Sequence, residues 1–124
     1  MAALFAALVA LAASLSAAVL EASAPAVRAP DPAAAVPLEA HCPEWWPLAL
    51  EVGWPAEEMP TVDRVMWCES RCRPDARNPS SASGLMQVLA RWFPAGADPL
   101  EPATNLAQAL EVWHAQGWRA WQCW

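Results

Sequence analysis

Thr61-Val62-Asp63-Arg64-Val65-Met66-Trp67-Cys68-Glu69-Ser70-Arg71-Cys72, followed by Gly84-Leu85-Met86-Gln87, is the stretch on which the reading of this chain turns. Residues 61–72 predict a helix, because Val62, Val65, Met66 and Glu69 follow the i, i+3, i+4, i+7 spacing of one face. Every other member of that stripe is apolar, so Glu69 stands where a core residue is expected. A carboxyl group drawn into apolar surroundings has its charged form disfavoured and its pKa raised, which suits a general acid near neutral pH. The plainer alternative is that Glu69 ends the stripe and turns to water, as most carboxylates do. The spacing alone leaves both open.

Two cysteines flank that glutamate. Cys42, Cys68, Cys72 and Cys123 are the four cysteines of the chain. An even number in a short chain with an apolar leader reads as two disulfides formed in an oxidising compartment. Residues four apart on a helix hold their Cβ atoms about 5–6 Å apart, whereas a disulfide needs about 3.5–4.5 Å. A helix through residue 72 therefore disfavours Cys68–Cys72 and leaves two connectivities, of which Cys42–Cys72 with Cys68–Cys123 is the expectation. Zinc is the competing use, but the spacing lacks a Cys-x2-Cys pair and only two histidines exist. No metal and no cofactor is implied.

Around this core the chain divides into three. Residues 2–20 are almost wholly Ala, Leu, Val and Phe, so 1–24 reads as a signal peptide or membrane anchor, with small residues near 22–26 for cleavage. Residues 25–40 are rich in Pro and Ala and read as a spacer that does not pack. Residues 41–124 form the folded domain, small enough for disulfides to matter to its stability. The expected location is extracytoplasmic, secreted or cell-wall associated. If the leader is retained, residues 2–20 tether the chain to a membrane.

The net charge of −6 argues against non-specific binding to nucleic acid or anionic lipid. From residue 41 onward ten acids face six arginines, so the domain itself is acidic. Nine tryptophans and no tyrosine are present. A domain of this size cannot easily bury so many indoles completely, and the remainder suit a groove for sugar faces or peptides.

Within the domain the pattern is mainly helical. A first helix is expected over residues 43–52, broken by Gly53-Trp54-Pro55. Pro60 and Thr61 open the Glu69 helix, with Thr61 as N-cap and Asp63 favourable in the first turn. Residues 73–83 carry loop chemistry, with two prolines, Asn78 and three serines. Residues 85–93 read as a buried strand or a short helix stopped by Pro94. A last helix starts at Thr104 or Asn105, buries Leu106, Ala109, Leu110 and Trp113, and ends at Gly117. The tail after it is fixed by Cys123.

Trp67-Cys68-Glu69-Ser70, Asn78 through Gln87, and Pro102-Ala103-Thr104-Asn105-Leu106 together resemble the lytic transglycosylase branch of the lysozyme-like superfamily. The likeness extends over residues 41–124 and is especially close to small secreted domains of high-GC Gram-positive bacteria and to resuscitation-promoting factors. It implies a mainly α, α+β lysozyme-like fold in a small disulfide-stapled single domain, with a groove for peptidoglycan glycan strands. Glu69 matches the family's lone catalytic acid, which cleaves the β-1,4 bond between N-acetylmuramic acid and N-acetylglucosamine and forms a 1,6-anhydro product. Ser70, Met86, Gln87 and Asn105 match positions that support the acid or line the groove. The resemblance implies a monomer acting on peptidoglycan.

One departure matters. The larger members carry a late Ala-Tyr-Asn-Ala-Gly segment whose tyrosine assists the acid, and this chain has none. Muramidase-type hydrolysis and a non-catalytic peptidoglycan-binding module are therefore the alternatives. Each site residue also has a plainer reading. Ser70 can serve helix-end packing, Gln87 can satisfy buried backbone groups, and Met86 can be core.

Overall fold

The computed structural model describes residues 36–124, so the leader and the spacer up to residue 35 lie outside the described residues. Three α-helices, α1 (Trp46–Val52), α2 (Met59–Ser70) and α3 (Pro102–Gln116), are joined by loops and four single 3-10 turns. Among the described residues no strand forms. Ser83 alone makes isolated antiparallel bridges, to Arg77 and to Val88. The domain is thus mainly α and disulfide-stapled, and the β part expected of an α+β fold is reduced to those bridges. No described helix is long and apolar enough to cross a membrane.

Proline explains where α2 begins. The helix opens at Met59, two residues before the expected cap at Thr61. Pro60 occupies its second position, where the missing N–H has no intrahelical partner to lose. At the other end Arg71 takes a left-handed conformation (φ 54°) and stops the helix, which leaves Cys72 beyond it. α3 likewise starts earlier than expected, at Pro102. Glu101 caps it, its carboxylate accepting from the Ala103 N–H at 3.2 Å and the Thr104 N–H at 2.6 Å. Its end at Gly117 is where the sequence placed it.

The apolar stripe of α2 does what its spacing requires. Val62, Val65 and Met66 are fully buried, in one core cluster with Trp46 and Ala49 of α1 and Leu106, Ala109 and Leu110 of α3. Each such side chain contributes about 1.5–3 kcal/mol by leaving water. Residues 85–93, expected as a strand or short helix, are neither. They form a turn, the Val88 bridge and a 3-10 turn over Ala90–Trp92, with Leu85, Met86 and Val88 sunk into the core. The spacer boundary also moves, since Val36 and Ala40 pack against the core.

With no sheet to join distant segments, side-chain donors do it. Asp63, expected to serve the first turn of α2, reaches out of its helix instead. Its carboxylate accepts from the His41 N–H (2.9 Å), the Cys42 N–H (2.8 Å) and the Trp46 indole (2.9 Å). Other indoles act as cross-links: Trp45 to the Cys72 carbonyl, Trp54 to the Leu106 carbonyl, Trp121 to the Met86 carbonyl, and Trp118 to the Glu58 carboxylate. A buried indole needs a partner for its N–H, and here each partner lies on another part of the chain. Two disulfides complete the frame, Cys42–Cys72 and Cys68–Cys123, the expected pairing. One ties the entry segment, and the other the C-terminal tail, to the end of α2.

Candidate active site

Glu69 lies in the last turn of α2, on the same face as Val62, Val65 and Met66. It neither reaches the core nor turns fully to water. The side chain is half-buried, and that burial pushes its carboxyl pKa above the ordinary value. Desolvation by burial is the cause of the shift, and among the described residues neither a hydrogen bond nor a neighbouring charge offsets it. A carboxyl in this state holds its proton to higher pH than a solvated one and remains open enough to deliver it.

The backbone around Glu69 is held tightly. Arg71 and Cys72 are consecutive non-glycine residues with positive φ, 54° and 63°. Left-handed backbone costs about 1–2 kcal/mol at each such residue, so surrounding bonds must secure it. The Arg71 N–H donates to the Trp67 carbonyl at 3.0 Å, the Trp45 indole donates to the Cys72 carbonyl at 2.9 Å, and Cys72 is bonded to Cys42. Ser70 is 2% exposed, and its hydroxyl donates back to the Met66 carbonyl at 3.0 Å. That is a helix-end bond beneath the surface, so Ser70 stands where a substrate does not reach.

The loop after α2 is organised by Asn105. This residue of α3 is completely buried. Its Oδ1 accepts from the Met86 N–H at 2.8 Å, while its Nδ2 donates to the Ser83 carbonyl at 2.8 Å and the Pro99 carbonyl at 2.9 Å. Gly84 is required beside it. A Cβ at position 84 would lie 2.2 Å from Asn105 Nδ2 and 2.8 Å from the Pro99 oxygen, and φ there is +77°. Asn105 and Met86 were expected to contact substrate. The structure buries both side chains fully, and the amide of Asn105 is spent on three backbone groups, so both shape the site from below.

Gln87 differs. It is partly exposed, with φ +49°, and its Nε2 donates to the Ala76 and Gly84 carbonyls at 3.0 and 2.9 Å. With both amide protons committed, the plainer reading of Gln87 holds for the nitrogen. The residue nevertheless lines a cleft, whose other walls include Arg91, Trp92, Gln116 and Trp121. Glu69 is not among its lining residues. The two are tied through the tail, since Trp121 forms one cleft wall and Cys123, two residues on, is bonded to Cys68 beside Glu69. Met86, Gln87 and Asn105 are therefore one group, Glu69 and Ser70 another, and the tail joins them.

Sequence reasoning did not single out Asp63 as a tie between segments, nor Arg91, Trp92 and Gln116 as cleft residues. None of these sits at a motif spacing, and the last three lie on two separate segments, the Ala90–Trp92 turn and the end of α3, that meet only in the folded chain. The chain matches no protein-family model, no curated protein and no solved structure.

Proposed function

We propose that this protein cleaves the β-1,4 bond between N-acetylmuramic acid and N-acetylglucosamine in peptidoglycan, as a lysozyme-like lytic transglycosylase with Glu69 as both acid and base. The observation that carries the reading is the half-buried Glu69 carboxyl, its pKa raised by desolvation alone, at the clamped end of α2. Supporting it is a loop whose Gly84, Met86 and Asn105 are interlocked and which leads Gln87 into a cleft walled by Trp92 and Trp121. Indole faces and amides suit the flat apolar faces and hydroxyl edges of sugars.

In this mechanism the protonated Glu69 gives its proton to the bridging oxygen, and the bond from that oxygen to C1 of the muramic acid breaks. The leaving N-acetylglucosamine departs with a C4 hydroxyl. The muramic acid C6 oxygen then bonds to C1 while the Glu69 carboxylate removes its proton, closing the 1,6-anhydro ring and restoring the acid. One carboxyl serves twice, so the second carboxylate of ordinary retaining or inverting glycosidases is not required. The absence of tyrosine favours a second reading, in which water attacks C1 in place of the C6 oxygen and a reducing end results.

The test is product analysis. The oxidised full chain and its Glu69→Gln variant are incubated with insoluble peptidoglycan, and the released fragments are weighed. Anhydro ends, one water lighter, support the transglycosylase. Reducing ends support the muramidase. Equal release by both proteins ends the catalytic reading, and retention on peptidoglycan without release identifies a binding module. Location outside the cytoplasm belongs to the same proposal and is supported by the two disulfides.

A further inference from the structure

The N-terminal half of α2 borders a pocket that the cleavage chemistry does not use. Pro60, Asp63 and Arg64 stand at i, i+3 and i+4 on that helix, so all three present to one side. The opposite wall is the entry segment, where Pro37, Glu39 and Ala40 lie in a turn closed by the Ala40 N–H donating to the Pro37 carbonyl at 3.1 Å. Trp46 of α1 contributes the remaining apolar surface. The pocket has a volume of about 240 Å³. Pockets that enclose drug-sized ligands run from about 300 to 1,000 Å³, so this one suits a molecule of only several heavy atoms.

Its walls are already fixed in place. Asp63 holds them together, with Oδ1 accepting from the Cys42 N–H and the Trp46 indole, and Oδ2 from the His41 N–H. The Cys42–Cys72 bridge ties the entry segment to the end of α2 as well. A site that needs no assembly costs its ligand little ordering. An ionised carboxylate offers about four acceptor positions, so three donors leave one unspent on Oδ2. The other charged groups are opposite in sign. Glu39 and Arg64 are both exposed at the pocket, and among the described residues no hydrogen bond or ion pair joins them. A purely anionic ligand would meet the carboxylates of Glu39 and Asp63, and a purely cationic one would meet Arg64. A small molecule that carries both charges satisfies all three.

We infer that this pocket binds a free α-amino acid with a small apolar side chain, its ammonium facing Glu39 and Asp63, its carboxylate held by Arg64, and its side chain against Pro37, Pro60 and Trp46. A guanidinium donates two parallel N–H bonds to a carboxylate, which fixes the orientation of the ligand. Glu69 lies in the last turn of α2 and is not part of this pocket, so the inference stands apart from the cleavage reading.

The experiment titrates the oxidised full chain, labelled with nitrogen-15, with L-valine and follows its N–H signals by NMR. N-acetylvaline, which lacks the ammonium, and valinamide, which lacks the carboxylate, are the comparison ligands. The N–H groups of His41 and Cys42 and the indole of Trp46 are the reporters, because all three donate to Asp63. The His41 signal is expected to move most, since it shares Oδ2 with the incoming ammonium. Valine is expected to saturate the site and to bind about tenfold more tightly than either comparison ligand, the scale of one charge-assisted bond. Arg64→Gln weakens valine by about tenfold and leaves valinamide within about twofold. Glu39→Gln weakens valine and leaves N-acetylvaline within about twofold. Both residues are exposed, so both variants fold, and unchanged thermal transitions verify it. Asp63 is left intact, because replacing it would release the entry segment together with the ligand.

No saturable binding of valine overturns the inference, as does equal binding of valine and either comparison ligand. An unchanged valine affinity in both variants overturns it too. Saturation that leaves the three reporter signals unmoved places the ligand elsewhere and overturns it equally.

Discussion

Replacing Asn105 by alanine removes three hydrogen bonds in one step, and the structure allows the cost to be worked out. The Met86 N–H loses its partner in buried surroundings, whereas the Ser83 carbonyl still accepts from the Val88 N–H at 3.0 Å, and the Pro99 carbonyl is partly open so that water replaces the amide there. One unsatisfied buried donor costs about 1–3 kcal/mol and the lost Ser83 bond adds about 1 kcal/mol, which puts the substitution at about 2–4 kcal/mol. Against a total stability on the order of 5–10 kcal/mol for a small domain, that is a large fraction. The melting temperature falls by about 4–8 °C for each kcal/mol at this size. Gly84→Ala is the natural second substitution, since its new Cβ would lie 2.2 Å from Asn105 Nδ2 at a φ of +77°. Left-handed strain and overpacking together make it cost about 3 kcal/mol.

The two changes should not add. With Asn105 shortened, the closest overlap disappears, and only the φ strain and the 2.8 Å approach to the Pro99 oxygen remain. Gly84→Ala then costs about 1–2 kcal/mol in the Asn105→Ala background, a coupling of about 1.5 kcal/mol. The assay is urea unfolding of the four oxidised proteins, with slopes compared to verify that the unfolded state is unchanged. Additivity within about 0.5 kcal/mol, or a cost below about 1 kcal/mol for Asn105→Ala alone, refutes the interlock. A loss of glycan binding without loss of stability would instead make Asn105 a contact residue.

Three other outcomes follow from the same geometry. Glu69 has its pKa raised by burial, so its charged form destabilises the fold, and the penalty grows as pH rises from the ordinary carboxyl range through the raised value. Glu69→Gln should therefore raise the melting temperature at about pH 7 and leave it nearly unchanged near pH 4, while cleavage by the parent protein declines over the interval in which Glu69 loses its proton. Glu101 is the opposite case. The Thr104 and Ala103 hydrogen bonds hold its pKa below the ordinary value, so its stabilisation is present above that value and lost as pH falls through the lowered one. Glu101→Ala should cost about 1 kcal/mol at neutral pH, as removal of an N-cap does, and less in acid, read by chemical unfolding at each pH. Cys68 is exposed whereas Cys42 is completely buried, so limited dithiothreitol should open Cys68–Cys123 first. Alkylation and peptide masses would show it, and preferential labelling of Cys42 and Cys72 would contradict it.

The periodicity of residues 62–69 was readable because a helix face repeats in the sequence, and the burial of Val62, Val65 and Met66 follows from it. The end of the last helix was readable because Gly117 is a local signal. Helix starts were misplaced because the caps are unusual. Pro60 is tolerated inside the first turn of α2, and α3 is capped by a glutamate where a shorter side chain is the norm. The segment after Gly84 escaped the reading for a different reason. Its apolar residues suggest a regular element, yet what shapes it is the amide of Asn105 about twenty positions away, and no local pattern encodes that. The candidate acid was legible, since Glu69 stands out on its own stripe. The cleft was not, because Gln87, Trp92, Gln116 and Trp121 converge only after the tail has folded back.

That fold-back gives the tryptophans a purpose beyond filling space. Backbone ladders between distant segments are nearly absent among the described residues, so Trp45, Trp54 and Trp121 each bridge to a remote carbonyl through the indole N–H. Phenylalanine at these positions would keep the apolar body and remove the indole donor, which leaves the Cys72 and Met86 carbonyls without that partner while Leu106 keeps its helical one, a loss of about 1 kcal/mol or less each. Trp121 has the widest consequence. It binds the Met86 carbonyl, forms a cleft wall, and precedes the cysteine bonded next to Glu69. Trp121→Phe should therefore disturb glycan binding more than its small stability cost predicts, whereas Trp54→Phe, buried away from the cleft, should lower stability alone. Equal effects of the two on binding would mean that the tail does not couple the cleft to the acid.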